Sequence, residues 1–312
     1  MVSFNLNELN QIESGASKKK IYRFKNENIK NILVDFSYSL SDYLSFINVH
    51  KYLSNINISI PKIFETNDNE KLILMEDFGN DRYDKIINNY DFKQLLVNAI
   101  DSLIAIQNFD KPLKTDGFKK YNYSIFKEEI IEFVDFYLPS LKTTSDQMEE
   151  FSKTWKSEFN KLNFNWNAFV HKDFELSNLM YLPHKVNHLK CGILDFQNAF
   201  IGFSGWDLFS LLENPRINFD EKYNKELIEY FYNNSNQIIS YKDFLIQYFF
   251  LNTARQTRII GRWVNLDEKN NSNFYQLNFH AVTIKRLKNS LFNLQNKKLS
   301  NLYKRILKNE EF

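Results

Sequence analysis

The sequence predicts an α+β protein with two lobes, a small β-rich lobe over residues 1–78 and a larger, mostly helical lobe over residues 79–312. Two observations lead to this fold class. Short β-prone runs separated by polar turns come first, and amphipathic helical patterns dominate the rest of the chain. A strand-loop-strand segment at 169–201 interrupts the helices. Strands and helices that occupy separate parts of a chain are typical of the α+β class.

The small lobe is predicted from β-branched and aromatic runs and from one helical pattern. Its elements are strands at 20–24, 31–36, 60–64 and 71–75 and a helix at 41–52. Ser41 is a suitable cap for the helix. The last two strands form a hairpin, because the intervening Asn67-Asp68-Asn69 favours a turn.

The large lobe begins where Glu76-Asp77-Phe78-Gly79 interrupts the strand pattern. Helices are predicted at 95–108, 126–137 and 147–162, and again from Trp206 to the end of the sequence. In the first of them the apolar residues fall on one side, as in a helix that packs on a core.

Composition argues against several classes of protein. Charged residues make up 25% of the chain, yet the net charge is only +2, whereas a nucleic-acid-binding protein is usually far more basic. The one cysteine, Cys191, permits neither an internal disulfide nor a thiolate metal cluster, which fits a cytoplasmic protein. No apolar stretch is long enough to span a bilayer, so no membrane partner is expected.

The segment that carries the chemistry is His171-x-Asp173-x₄-Asn178, followed by Asp195 at the end of the next apolar run. Kinases use this arrangement. Asp173 is placed to orient an acceptor hydroxyl and take its proton, and Asn178 and Asp195 are placed to ligate Mg²⁺ beside the phosphates of ATP. His171 is interpreted as holding the loop by hydrogen bonds. The alternative is an ordinary polar hairpin, but that does not explain the joint spacing of all four residues.

Beyond this motif, the sequence resembles the aminoglycoside phosphotransferase-like kinases, and among them the anomeric sugar kinases that act on N-acetylmuramate and N-acetylglucosamine. The segments that carry the resemblance are Gly15-Ala16-Ser17-Lys18-Lys19-Lys20-Ile21-Tyr22-Arg23, Ile32-Leu33-Val34-Asp35, Leu72 to Gly79, Asp195-Phe196-Gln197-Asn198-Ala199, Trp206 to Leu212 and Arg255 to Gly261. The resemblance implies a protein-kinase-like bilobal fold and the use of ATP and Mg²⁺.

The same resemblance implies how the nucleotide is held. Glu76 and Phe78 are the expected hinge that hydrogen-bonds adenine through the backbone. The loop over the phosphates is expected at Ser14, Gly15 and Ser17.

One feature departs from the usual pattern of kinases, since the strand at 31–36 lacks the lysine that contacts the phosphates. Lys19, Lys20 or Arg23 on the preceding strand can supply this charge. Side chains alternate along a strand, so the neighbouring lysines point in opposite directions, and the sequence leaves open which of them faces the nucleotide. A solvated lysine run is the alternative.

Four residues are candidates for contact with the acceptor. Arg255 and Arg258 share a helical stripe with Arg262, which suits an anionic group such as the carboxylate of an N-acetylmuramate-like acceptor. The alternative is a solvated face or a helix that docks on an acidic surface. Glu175, in the catalytic loop, and Gln197 are the other two candidates.

The function predicted from these observations is ATP-dependent phosphorylation of a small-molecule hydroxyl, most simply the anomeric hydroxyl of an N-acetylated amino sugar. Two alternatives stay open: a kinase of another small acceptor (choline, an aminoglycoside or a homoserine-like compound), and a kinase-fold protein that binds nucleotide without catalysis. The expected partner is a small-molecule acceptor, with no nucleic acid or membrane, and the protein is expected to be a monomer or weak dimer.

Overall fold

The computed structural model describes residues 9–12, 19–26, 29–109, 117–162, 166–217 and 223–308. The strands are β1 (Asn10–Ile12), β2 (Lys20–Asn26), β3 (Ile29–Asp35), β4 (Ile63–Asn67), β5 (Leu72–Glu76), β6 (Lys119–Lys120), β7 (Ala168–Val170), β8 (Leu179–Tyr181), β9 (Cys191–Ile193) and β10 (Phe200–Gly202). The helices are α1 (Leu40–Leu53), α2 (Tyr83–Ile86), α3 (Phe92–Gln107), α4 (Tyr123–Glu132), α5 (Leu138–Ser140), α6 (Ser145–Phe159), α7 (Trp206–Leu212), α8 (Asn224–Asn234), α9 (Tyr241–Asn270), α10 (Phe274–Leu294) and α11 (Lys297–Ile306).

The chain divides into two compact units. One comprises residues 1–119, 171–200 and 225–236, and the other comprises 120–170, 201–224 and 237–312. The predicted α+β class is confirmed, with a strand-rich N-terminal part and a mostly helical remainder. The lobe boundary at residue 78 stays a prediction.

A five-stranded sheet in the order β1-β2-β3-β5-β4 forms the N-terminal part of the first unit. Its paired strands are antiparallel, with Leu33 of β3 opposite Tyr22 of β2 and Leu74 of β5. Tyr22, Leu33 and Leu72 are buried together on this sheet. All four predicted strands are present, and β1 is an additional strand that the sequence analysis did not identify.

Helix α1 follows the sheet strand β3 and begins one residue after Ser39, whose hydroxyl accepts the backbone N–H of Asp42. The cap is therefore Ser39 and not Ser41, because Ser39 has the extended backbone of an N-cap. Tyr43, Phe46, Val49 and Leu53 are buried on one face of the helix, as 3.6-residue spacing requires.

The second unit is built around α9, the 30-residue helix Tyr241–Asn270. Gly261 lies against the backbone of α4, where an added Cβ would come within 2.3 Å of the Glu132 carbonyl oxygen. Only glycine fits at this contact. The predicted helix at 126–137 differs from the observed one, because its last turn, Phe133–Tyr137, is a π-helix that begins beside Gly261.

Among the described residues, no helix combines the length and the apolar character that a membrane crossing requires.

Candidate active site

The loop 171–178 is held in shape by its own backbone and by one histidine. His171 is fully buried, and its Nε2 lies 2.8 Å from the carbonyl oxygen of Leu194. Burial lowers the pKa of His171 to about 4, so the ring is neutral at physiological pH and Nε2–H donates to that carbonyl. The bond joins the start of the loop to the residue before Asp195.

Asp173 and Asn178 are brought together inside this loop. Asn178 Nδ2 donates to the backbone carbonyl of Asp173 at 2.8 Å, and the Asn178 N–H donates to the carbonyl of Glu175 at 2.8 Å. Lys172 has a φ of 81°, a left-handed conformation that is costly for a residue with a side chain. Because its nitrogen is engaged, the Asn178 amide has its oxygen left for another ligand.

The antiparallel hairpin β8–β9 places Asp195 next to Asn178. Leu179 pairs with Ile193, and the Leu194 N–H donates to the Asn178 carbonyl at 2.9 Å. Asp195 itself has a φ of 64°, again in the left-handed region. Strained residues of this kind concentrate at functional sites. The two sequence-predicted metal ligands therefore lie on adjacent strand ends.

The carboxylate of Asp195 is held on one oxygen. Lys19 Nζ contacts Oδ1, and Gln197 Nε2 donates to the same oxygen at 2.8 Å. Within the described part of the chain, Oδ2 has no hydrogen-bond partner. Asp195 thus has both of its side-chain contacts among the described residues on one oxygen.

Lys19 is the basic residue that reaches this site. It is 8% exposed, whereas its neighbour Lys20 is exposed. Burial lowers the pKa of Lys19 to about 8, against the opposing effect of the carboxylates of Asp173 and Asp42. The ammonium group therefore contacts the Asp195 carboxylate, lies near enough to Asp173 and Asp42 for their charges to raise its pKa, and remains mostly charged at pH 7.

The side chain of Arg23, on β2, contacts the segment that follows β5 and not Asp195. Its Nη2 donates to Asp77 Oδ1 at 2.8 Å and to the Gly79 carbonyl at 2.6 Å, and Nη1 donates to Asn80 Oδ1. The Asp77 side chain is only 2% exposed, so this ion pair fixes the segment to β2. Arg23 and Lys19 are therefore not brought together.

The two hinge candidates flank Asp77. The Glu76 N–H donates to the Lys62 carbonyl at 2.9 Å, which anchors the end of β5. The Phe78 ring packs on Gly192 of β9, where an added Cβ would meet the ring at 2.7 Å. The N–H of Phe78 has no hydrogen-bond partner among the described residues. Ser14, Gly15 and Ser17, the candidates for the phosphate loop, lie outside the described residues.

Hard oxygen donors, which Mg²⁺ prefers, lie on Asp195, on Gln197 that is hydrogen-bonded to it, and on Asn178 at the adjacent strand end. They are Asn178 Oδ1, Asp195 Oδ2 and Gln197 Oε1, and the last is buried without a partner within the described ranges. The described residues contain no cluster of three or more His, Cys, Asp or Glu side chains fit for a metal. The donor set therefore suits Mg²⁺ that shares its coordination with phosphate and water, and it does not suit a metal held by protein alone.

The acceptor candidates are only partly brought together. Glu175 accepts from the Ser177 hydroxyl at 3.0 Å in the catalytic loop, and Gln197 lies against Asp195. Arg255 belongs to the second unit and is buried there, with Nη1 3.5 Å from the Glu213 carbonyl. Arg258 is partly buried in the same unit.

The arginine stripe packs, in part, against acidic residues of α4. Arg262 forms an ion pair with Glu132 at 2.7 Å. The buried Tyr121 hydroxyl donates to Glu129 Oε2 at 2.6 Å. Burial and the Glu129 carboxylate raise the pKa of Tyr121, and the positive charge of Arg258 opposes them. These contacts favour the interpretation of a helix that docks on an acidic surface, and they weaken the case for an anion-binding stripe.

Two residues that the sequence analysis did not single out also face this site. Asn198 Nδ2 donates to Asp173 Oδ2 at 3.3 Å, and Asp42 of α1 acts on Lys19. Asn198 belongs to the segment that resembles the metal-binding strand of the family, and that resemblance is the one feature of the sequence that pointed to this residue. Asp42 had no signal, because its partner is 23 positions away in the sequence.

Comparisons with solved structures place the fold among those of known kinases and phosphotransferases. The fold is similar to a choline/ethanolamine kinase family protein from Mesorhizobium loti, with a TM-score of 0.59, 9% identity and coverage of 95% of this chain and 92% of that one. It is also similar to an aminoglycoside phosphotransferase with ADP bound, with a TM-score of 0.54, 14% identity and 93% coverage of each chain.

The relatives that match in sequence are named as N-acetylmuramate/N-acetylglucosamine kinases. An N-acetylmuramate/N-acetylglucosamine kinase from Caulobacter vibrioides is 27% identical over 194 residues, which are 55% of this chain and 50% of that protein. The protein of that name from Pseudomonas aeruginosa is 24% identical over 218 residues, 69% of this chain and 62% of that protein. The matches thus span about half to three-fifths of these relatives.

The model of the phosphotransferase enzyme family matches residues 8–235, which include the catalytic loop and Asp195. The match confirms the family resemblance seen in the sequence. The chain belongs to the phosphotransferase enzyme family.

Proposed function

We propose that this protein is a small-molecule kinase that transfers the γ-phosphoryl group of ATP to a hydroxyl of an N-acetylated amino sugar. The observation that carries the proposal is the meeting of Asp173, Asn178, Asp195 and Lys19 in one unit of the chain. These are a base, two oxygen ligands and a cation, the set that phosphoryl transfer requires. The ADP-bound neighbour of the same fold supports an adenine nucleotide as donor.

In the proposed reaction the acceptor hydroxyl oxygen attacks the γ-phosphorus as the bond from that phosphorus to the bridging oxygen breaks. Asp173 orients the hydroxyl and takes its proton, and ADP leaves with the bond electrons. Asn178 and Asp195 would hold Mg²⁺, which neutralises phosphate charge when it is bound. Lys19 holds Asp195 and supplies positive charge in place of a lysine on β3, because Lys30 at the start of that strand is exposed.

The Phe78 N–H is the proposed hinge donor to adenine. Support comes from two facts, the lack of a partner for this N–H among the described residues and the fixed position of the ring on Gly192. The ion pair between Arg23 and Asp77 keeps the hinge segment in place, so Arg23 acts on the nucleotide indirectly.

The proposed acceptor class rests on the activity for which the relatives are named and not on the arginine stripe. Arg255 lies in a buried position 3.5 Å from the Glu213 backbone carbonyl and Arg262 pairs with the Glu132 carboxylate, so the stripe no longer argues against a cationic acceptor. Choline and aminoglycosides are therefore the second candidates, in line with the fold neighbours. The non-catalytic alternative is weakened, because Lys19 contacts Asp195 and can supply the charge whose absence favoured that alternative.

A screen of nucleotide consumption tests the proposal. The purified protein is incubated with ATP and Mg²⁺ and with N-acetylglucosamine, N-acetylmuramate, glucose, choline or an aminoglycoside, and Asp173→Ala serves as the blank. We expect ADP and a phosphorylated product with an amino sugar. Turnover with choline alone would show that the acceptor is an amino alcohol and not an amino sugar. Turnover by Asp173→Ala equal to that of wild type would refute Asp173 as the base.

A further inference from the structure

Asn198 stands on the 3₁₀ turn Phe196–Asn198, three residues after Asp195, and its Nδ2 donates to Asp173 Oδ2 at 3.3 Å. We infer that Asn198 is a positioning residue for Asp173: its amide holds one carboxylate oxygen and leaves the other to the acceptor hydroxyl. This inference rests on the proposed function.

The turn that carries Asn198 is firmly anchored. The Ser45 hydroxyl donates to the Gln197 carbonyl, and the fully buried Phe196 ring stacks on Phe46 of α1 at a centroid distance of 4.6 Å. The Ala199 N–H closes the turn on the Phe196 carbonyl at 3.1 Å. A side chain that orients a catalytic group is effective only when its own backbone is fixed, and this turn meets that condition.

The preceding residue makes the matching contact to the other acid. Gln197 Nε2 donates to Asp195 Oδ1 at 2.8 Å, so two consecutive amides each hold one carboxylate. An amide N–H donates without carrying a charge, and it therefore orients a carboxylate without neutralising it as a lysine would. Asn198 and Gln197 therefore orient the two acids with neutral donors.

The arrangement has a consequence for the reaction. A carboxylate with one oxygen fixed has less freedom to rotate, and its remaining oxygen points in a defined direction at the hydroxyl. Asn198 itself does not touch the reacting atoms. Its loss should therefore slow the transfer step and leave nucleotide binding intact.

The test compares wild type, Asn198→Ala and Asn198→Asp, with Asn69→Ala as control, because Asn69 is also exposed and lies on the hairpin turn between β4 and β5. The kcat with the best acceptor and the Kd for Mg·ATP are measured for each. We expect kcat to fall about tenfold in Asn198→Ala, the low end for a hydrogen bond to a charged group. Asn198→Asp should fall further, because it places a second carboxylate beside Asp173, and the Kd should change less than about twofold.

The inference is overturned if Asn198→Ala keeps the wild-type kcat, if Asn198→Asp is as active as Asn198→Ala, or if kcat falls only together with nucleotide affinity. A wild type that phosphorylates none of the acceptors would remove the proposed function, and the inference with it. The two failures are thus distinguishable.

Discussion

The ammonium group of Lys19 contacts Oδ1 of Asp195, 176 positions further along the chain. Lys19 precedes β2 and Asp195 follows β9, so the contact ties the start of one strand to the end of another within the same unit. Burial of a cation is costly unless the cation is paired, and a buried, paired group with a shifted pKa is a candidate for a functional role. We assign that role to orientation of Asp195 and to contact with the phosphates.

Replacement of Lys19 by Met removes the charge and keeps most of the apolar stem. We expect kcat/KM for ATP to fall at least about 100-fold, the loss typical of one electrostatic donor in a phosphate or oxyanion site. The control is Lys20→Met, since Lys20 is the adjacent residue and is exposed. Steady-state kinetics should show less than about threefold change for the control, and equal losses in both variants would contradict the assignment.

Asp195 should make nucleotide affinity depend on Mg²⁺. Chelation of Mg²⁺ is expected to weaken ATP binding to wild type at least about tenfold, or about 1.4 kcal/mol, and to have no effect on Asp195→Asn. Calorimetric titration with and without Mg²⁺ measures this difference without turnover. Asp101→Asn is the control, because within the described ranges that carboxylate accepts a hydrogen bond from Tyr230 alone, at 2.7 Å. A metal dependence that persists in Asp195→Asn would exclude Asp195 as a ligand.

The catalytic loop was predictable from sequence because its geometry is local. The spacing of His171, Asp173 and Asn178 fixes them in one loop, and a short hairpin then returns the chain to Asp195. The same reasoning cannot choose among Lys19, Lys20 and Arg23. Burial of the first and the bond of the third to Asp77, 54 positions away, depend on tertiary contacts that no local pattern encodes.

The arginine stripe shows a second limit of sequence reasoning. Its helical spacing is correct, since Arg255, Arg258 and Arg262 all lie on the continuous helix α9. The pattern does not tell which neighbour covers the stripe, and here Glu132 of α4 pairs with Arg262. Charge periodicity indicates a face of a helix, whereas its function depends on what packs there.

Acid should destabilise the ligand-free protein through His171. A histidine in the unfolded chain titrates near 6.5, and burial lowers the pKa of folded His171 to about 4. Above pH 6.5 both states are neutral and the residue has no effect. Between 6.5 and 4 only the unfolded chain binds the proton, so the free energy of unfolding should fall by up to about 3 kcal/mol.

The variant His171→Gln checks this expectation, because its amide can still donate to the Leu194 carbonyl but does not titrate. Urea unfolding at pH 7, 6, 5 and 4 should show a shallower loss of stability than wild type. His184→Gln is the control, since His184 is exposed, and it should follow wild type. Parallel curves for all three proteins would show that His171 does not set the acid limit.

The second unit contains a buried ion pair between Arg286 and Glu213, at 2.9 Å with side chains 1% and 3% exposed. Arg286 also donates to the Leu212 carbonyl, so it joins α10 to the end of α7. Because removal of one partner leaves an uncompensated buried charge, Arg286→Met should destabilise the protein by about 3–5 kcal/mol.

Arg305→Met is the control, since its pair with Glu150 is exposed and should contribute no more than about 1 kcal/mol. The double variant Glu213→Gln/Arg286→Met should be more stable than Arg286→Met alone, as urea midpoints at constant m-value would show, because it leaves no charge buried. A double variant that loses the sum of both single losses would mean that the two residues act independently.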